Sequence, residues 1–160
     1  MDREWIVSIE ALLAKPLRIR GYAIHAGTTR NLNQYLEDEL VRAASTLKGV
    51  PIYLEHISAS NAVGRVIDAW YDPAEKAVAF EAEIHDEETA EKIRRGLIKH
   101  VSIGADYEVL DIRDGIRIPR DLAFRELSLV AVPGDREANI VMVMEKLFEA
   151  GEGEDDGYYC

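Results

Sequence analysis

Three residues of this 160-residue chain are of the types that a serine hydrolase needs, and each lies in or beside an apolar, strand-like stretch. Ser102 lies in Lys-His-Val-Ser-Ile-Gly-Ala, His56 ends Val-Pro-Ile-Tyr-Leu-Glu-His, and Glu126 begins Glu-Leu-Ser-Leu-Val-Ala-Val. A serine hydroxyl becomes nucleophilic when a histidine takes its proton, and a carboxylate can orient that imidazole. If the three stretches are neighbouring strands, they can bring the three side chains together. The same residues also fit three ordinary strands, with Ser102 bonded to backbone and the other two facing water.

Other residues compete for these roles. By strand alternation His100 points to the same face as Ser102, which makes it the main rival for the base. Asp106 and Asp121 are rival third members, and both also fit solvated positions.

Several further residues lie close to the three in the sequence. Gly104 would allow a close approach of another chain to the strand of Ser102. Ser128 shares a face with Glu126 and fits a structural role beside the site. The turn 133–136 follows the Glu126 strand and is a candidate source of oxyanion-binding N–H groups.

A metal site is the remaining chemical alternative. Its ligands would come from the four histidines, and no pair of them has the spacing of a local metal motif. We therefore expect neither a metal nor a cofactor. The histidines are His25, His56, His85 and His100.

Hydrophobic periodicity predicts about seven strands and two or three helices. The strands are predicted over 17–27, 50–56, 63–71, 77–85, 97–110, 116–118 and 124–132. The helices are predicted over 32–47, capped by Asn31 or Asn33, over 87–95, capped by Asp86, and in the second half of 138–150. Because short turns join most strands, we expect an α+β fold, either a sandwich or, as we favour, a mostly antiparallel β-barrel with the helices around it.

Composition narrows the classes of partner. The net charge is −11, and residues 145–160 hold six acids and one lysine, so we expect no nucleic-acid binding. No apolar run approaches the roughly 20 residues that span a bilayer, so we expect no membrane insertion.

The single cysteine, Cys160, cannot form an internal disulfide. We expect one domain over 1–150 and a flexible acidic tail over 151–160.

Three motifs follow one another in a fixed order over about residues 17–146, and together they resemble the prohead maturation proteases of tailed viruses with HK97-type capsids. That family is similar in fold to the herpesvirus assemblins. The motifs are His56 followed by Val63-Gly64-Arg65-Val66, then Arg94-Arg95-Gly96 followed by Ser102-Ile103-Gly104, then the run from Phe124 to Val130 followed by Pro133.

The resemblance implies a serine endopeptidase with a herpesvirus-protease-like barrel, in which Ser102 is the nucleophile, His56 the general base and Glu126 the third member. The assemblins place a second histidine at the third position. The implied substrates are the scaffolding segments of a capsid protein and the protease itself. A homodimer and a location inside the prohead, in the host cytoplasm, are further implications.

Two other classes stay open. The chain could be a non-catalytic capsid assembly or scaffold module that keeps the same barrel. It could also be a histidine-based metalloenzyme, which would lose activity with a chelator and ignore serine-reactive phosphonates.

Overall fold

The computed structural model describes residues 16–55, 62–130 and 144–149. Its strands are β1 (Leu17–His25), β2 (Gly27–Thr28), β3 (Gln34–Tyr35), β4 (Pro51–Leu54), β5 (Ala62–Asp72), β6 (Ala77–Ile84), β7 (His100–Tyr107), β8 (Val109–Arg113), β9 (Ile116–Arg120), β10 (Ala123–Val130) and β11 (Met144–Glu149). Its helices are α1 (Glu37–Ala43), which continues as a 3₁₀ helix over Ala44–Leu47, and α2 (Glu87–Arg94). The predicted tail over 151–160 lies outside the described residues.

The architecture is α+β and mostly strands, with a sheet that curls into a half-barrel. Seven strands form this sheet in the order β1-β6-β5-β4-β10-β7-β11. Neighbouring strands are antiparallel except for the β4–β10 and β7–β11 pairs, so the predicted mostly antiparallel sheet is confirmed. In the described part of the chain the sheet forms a half-barrel rather than a closed barrel, which does not conflict with the predicted β-barrel. Two small sheets, β2–β3 and β8–β9, complete the described strands.

The hydrophobic core lies against one face of the central strands. Buried apolar side chains from β4, β7 and β10 meet Leu40 of α1 and Leu47 of the 3₁₀ helix in a single cluster. Because side chains alternate along a strand, the apolar face of β7 and β10 turns into this core and leaves the other face for the polar residues. The core-facing residues of these two strands are Val101, Ile103, Ala105, Phe124, Leu127 and Leu129.

The first helix is shorter than the predicted helix over 32–47. It begins at Glu37 with Leu36 as the N-cap residue, so the predicted caps Asn31 and Asn33 are wrong. The reason is that Gln34–Tyr35 pairs with Gly27–Thr28 as a small sheet, which removes those residues from the helix. Leu32, the first residue of the predicted helix, adopts a left-handed φ of 62° and is 53% exposed.

The second helix follows the prediction closely. The Asp86 carboxylate accepts a hydrogen bond from the backbone N–H of Thr89 at 3.1 Å, as an N-cap residue does. Gly96 ends the helical segment with a φ of 73°. The strand predicted over 97–110 starts only at His100, because the chain must first leave this left-handed turn. No helix within residues 16–55, 62–130 and 144–149 combines the length and apolar character that crossing a membrane requires.

The helix predicted for the second half of 138–150 is wrong for the residues that the structure describes there. Met144–Glu149 forms β11, which pairs in parallel with β7 along its whole length. Backbone pairing with an available strand edge outweighs the helical spacing of the apolar residues, since sheet formation depends more on its neighbours than on local propensity.

A buried carboxylate ties α1 to the turn that precedes β10. Glu39 is 1% exposed, and its Oε1 accepts hydrogen bonds from Arg42 at 2.6 Å and from Arg120 at 3.0 Å. Its Oε2 accepts the backbone N–H of Asp121 at 2.9 Å. Glu39 therefore fixes the start of the strand that carries Glu126.

We expect Glu39→Ala to lower the free energy of unfolding by about 2–3 kcal/mol, because it leaves the N–H of Asp121 and the guanidinium of Arg120 without this acceptor. The matched control is Asp38→Ala, which removes an exposed ion pair to Arg42 and should cost at most about 1 kcal/mol. Urea unfolding of both variants measures the difference. Equal losses would show that Glu39 adds nothing beyond an ordinary surface charge.

Candidate functional site

The three strands that we expected to carry the reactive residues are neighbours in the sheet. β10 lies between β4 and β7, in parallel register with β4 and antiparallel register with β7. The backbone N–H of Glu55 donates to the carbonyl of Leu129 at 3.1 Å, so the chain still follows β10 one residue beyond the end of β4. His56, the predicted base, is the next residue and lies outside the described residues.

Ser102 lies directly opposite Ser128 across the β7–β10 pair. Directly opposed residues in an antiparallel pair share a face and have Cβ atoms about 4.5–5.5 Å apart. Both side chains are completely buried. Tyr53 of β4 is the partner of Ser128 on its other side and is half-buried. The sheet thus places three hydroxyl-bearing residues side by side across β4, β10 and β7.

A β-bulge at Arg125 places Glu126 on this polar face. Phe124 pairs with Ala105 in the core, but after the shift in register Glu126 pairs with Gly104 on the opposite face. Without the extra residue, Phe124 and Glu126 would share a face because they are two positions apart. The bulge therefore separates a core phenylalanine from a site carboxylate within three residues.

The Glu126 side chain lies across Gly104. A Cβ atom at Gly104 would be 2.5 Å from Cγ and 2.9 Å from Cδ of Glu126. The carboxylate also accepts a hydrogen bond from the Ser128 hydroxyl, with 3.2 Å between Oγ and Oε1. Glu126 is 1% exposed, so the alternative in which it is a solvated strand residue is wrong. The structure brings Glu126 and Ser102 to the same face of adjacent strands.

His100 occupies the same face of β7, two residues before Ser102, as strand alternation predicted. It is 8% exposed, and among the described residues its buried Nδ1 has no hydrogen-bond partner. Burial lowers the pKa of His100 below its ordinary value, and the nearby charge of Lys99 adds to the effect. The imidazole is therefore neutral at neutral pH and able to accept a proton, so His100 stays a rival base.

The two rival acids have other interactions. Asp106 forms an ion pair with Arg125, with 2.7 Å between Oδ1 and the guanidinium. Asp121 is exposed in a left-handed turn, and its backbone serves as a donor to Glu39. Neither carboxylate is enclosed as that of Glu126 is.

The other two described histidines lie at the ends of different strands. His25 ends β1, and His85 follows β6 with its Nε2 3.1 Å from Glu83 Oε2. Within the described ranges no group of three or more histidine, cysteine, aspartate or glutamate side chains lies close enough together to hold a metal ion. The turn 133–136, our candidate for the oxyanion-binding loop, lies outside these ranges.

Because comparison with known proteins finds no match, the arrangement of these side chains in the structure is the main support for any function. No protein-family model matches this chain, and no curated protein matches its sequence.

Proposed function

We propose that this protein is a serine endopeptidase of the prohead maturation type. Ser102 is the nucleophile, His56 the general base and Glu126 the third member of the triad. The substrates are scaffolding segments of a capsid protein and the protease itself, inside the prohead in the host cytoplasm. The proposal includes a closed, herpesvirus-protease-like barrel for the whole chain, and a homodimer.

One observation carries the proposal. A buried carboxylate and a buried serine lie on one face of adjacent strands, in a part of the sheet whose opposite face is fully apolar. Burying a carboxylate is costly unless it is hydrogen-bonded, and the chain provides a glycine and a serine donor around it. A catalytic acid needs such an arrangement, because its carboxylate must be held in place beside the reacting groups. The third strand of the group, β4, ends two residues before His56 in the sequence.

The chemistry follows from the three side chains. His56 takes the proton of the Ser102 hydroxyl as the oxygen attacks the scissile carbonyl, and Glu126 orients the imidazole and stabilises its charged form. The tetrahedral intermediate collapses when His56 passes the proton to the leaving amine, which leaves an acyl group on Ser102. Water, activated by His56, then hydrolyses this ester and restores the serine.

The mechanism sets a condition on the site. Ser102 is fully buried in this structure, so the face that carries it has to become accessible when a peptide binds. A water-poor site also strengthens the interaction between imidazolium and carboxylate, because charges attract more strongly at low dielectric.

The test is self-cleavage of the full chain extended at its C-terminus by a soluble marker domain. We expect the chain to release the marker. A serine-reactive phosphonate should block this release, and a chelator should leave its rate unchanged. Gel electrophoresis and intact mass measure the products over time.

Two outcomes would replace the proposal with one of its rivals. An extended chain that never releases the marker, and fails to process a capsid scaffold segment added to it, would favour the non-catalytic assembly module. Cleavage that stops with a chelator and continues with the phosphonate would identify a metalloenzyme instead.

A further inference from the structure

Two residues beside the proposed triad, Gly104 and Ser128, contact the Glu126 side chain. Gly104 lies under its side chain, and Ser128 donates a hydrogen bond to its carboxylate. Both are buried, and both lie on the face that carries Ser102. Each therefore limits the position of the Glu126 carboxylate, Gly104 from the neighbouring strand and Ser128 from the same strand.

Gly104 is needed for space rather than for backbone freedom. Its φ is outside the left-handed region, so an L-residue could adopt the same backbone conformation. A Cβ atom, however, would lie 2.5 Å from Glu126 Cγ and 3.1 Å from Oε1. The distance to Cγ is too short for non-bonded atoms and the distance to Oε1 is tight, so any larger residue has to displace the Glu126 side chain or the strand.

Ser128 fixes the position of one carboxylate oxygen of Glu126. It is two residues after Glu126 on the same strand, and the hydroxyl reaches back to Oε1 at 3.2 Å. Because Ser128 is directly opposite Ser102, this hydrogen bond draws the carboxylate towards the nucleophile's position along the sheet. A glutamate has three side-chain torsions, so each such contact excludes some of the positions that its carboxylate could adopt.

We propose that Gly104 and Ser128 form a seat for Glu126 and that Ser128 is a positioning residue of the active site. The seat holds the carboxylate beside Ser102 so that it can orient the catalytic base. This assignment rests on the proposed function for its effect on rate, but the placement of Glu126 itself can be tested without activity.

The kinetic test is a double-mutant cycle of Ser128→Ala and Glu126→Gln in the full chain, measured as the rate of phosphonate labelling and of self-cleavage. We expect Ser128→Ala alone to slow both about tenfold to hundredfold, as a misplacement of about 1 Å does. On the Glu126→Gln background the same change should alter the rates less than about threefold, because Ser128 acts through Glu126. Losses that multiply in the double variant would overturn the proposal.

Two companion variants separate positioning from folding. Ser128→Thr keeps a hydroxyl and should restore the rates to within about threefold of the parent, while Gly104→Ala should slow them at least as much as Ser128→Ala. Unfolding curves identify variants that fail to fold. A Ser128→Thr variant that folds and is as slow as Ser128→Ala would show that the hydroxyl is not what matters.

A second measurement decides the placement when no activity is present. The ¹³C resonance of the Glu126 carboxyl should differ between the parent chain and Ser128→Ala, because the carboxylate loses a hydrogen bond. It should be unchanged in Ser45→Ala, which alters an exposed residue of the 3₁₀ helix. An identical resonance in the parent and Ser128→Ala would overturn the seat. If the resonance shifts and the parent chain neither cleaves nor labels, the seat stands and the proposed protease function fails.

Discussion

Replacing Ser102 with alanine is expected to slow self-cleavage of the extended chain by about 10⁴- to 10⁶-fold, the loss expected when a serine hydrolase loses its nucleophile. The physical reason is that no acyl-enzyme can form, so only direct attack by water remains, aided by substrate binding and oxyanion stabilisation. The fold should tolerate the change, because removing one buried hydroxyl leaves a methyl group of nearly the same size in the sheet.

The matched control is Ser45→Ala, whose side chain is exposed on the 3₁₀ helix rather than on the strands that carry the site. It should cleave at the parent rate. Release of the marker is followed by gel electrophoresis, and unfolding curves confirm that both variants are folded. Equal cleavage in Ser102→Ala and Ser45→Ala would contradict the assignment of the nucleophile.

Replacing His56 with glutamine is the second change with a large expected effect, and we expect a loss of about 10⁴-fold or more. Glutamine keeps a polar side chain but cannot accept the serine proton at neutral pH. The same substitution at His100 should cost less than about tenfold, because the resemblance to the prohead proteases assigns the base to His56. A large loss in His100→Gln together with a small loss in His56→Gln would exchange the two roles.

The pH dependence of the parent chain separates the same two histidines. A histidine base works in its neutral form, so the rate rises with pH through the pKa of that histidine, which is ordinarily about 6.5. Burial and Lys99 lower the pKa of His100, so a reaction that used His100 would keep its full rate to lower pH. A rise centred well below pH 6.5 that disappears in His100→Gln would favour His100 as the base.

Much of the sheet could be predicted from alternation. The apolar Val101, Ile103 and Ala105 face the core as expected, which leaves His100 and Ser102 on the other side. The β5–β6 hairpin and the cap of α2 followed from equally local signals. Such features can be predicted from the sequence because they depend on one or two neighbouring residues.

The bulge at Arg125 illustrates why the site itself was harder to predict. Phe124 and Leu127 are both in the core although they are three residues apart, a spacing that strict alternation does not allow. That odd spacing of apolar residues is the signal of the bulge in the sequence. The contacts of Glu126 with Gly104 and Ser128 depend on this shift, so the seat appears only once the register is known.

The two wrong helix assignments have a common cause. Residues 32–36 and Met144–Glu149 both carry apolar residues at helical spacing. In the structure, however, Gln34–Tyr35 and Met144–Glu149 are strands. In each case another strand provides the backbone partners, the nearby β2 for Gln34–Tyr35 and the distant β7 for β11. Local periodicity does not contain that information, because it describes one segment without its neighbours.

The central claim is that Ser102 is an activated serine, and the most direct measurement is the site of covalent labelling by a fluorophosphonate. The full chain is incubated with the reagent, digested, and its peptides are analysed by mass spectrometry. The account predicts a single adduct on Ser102, lost in Ser102→Ala and slowed in Glu126→Gln. An adduct on Ser128 or another serine, or self-cleavage that proceeds without any adduct, would contradict it.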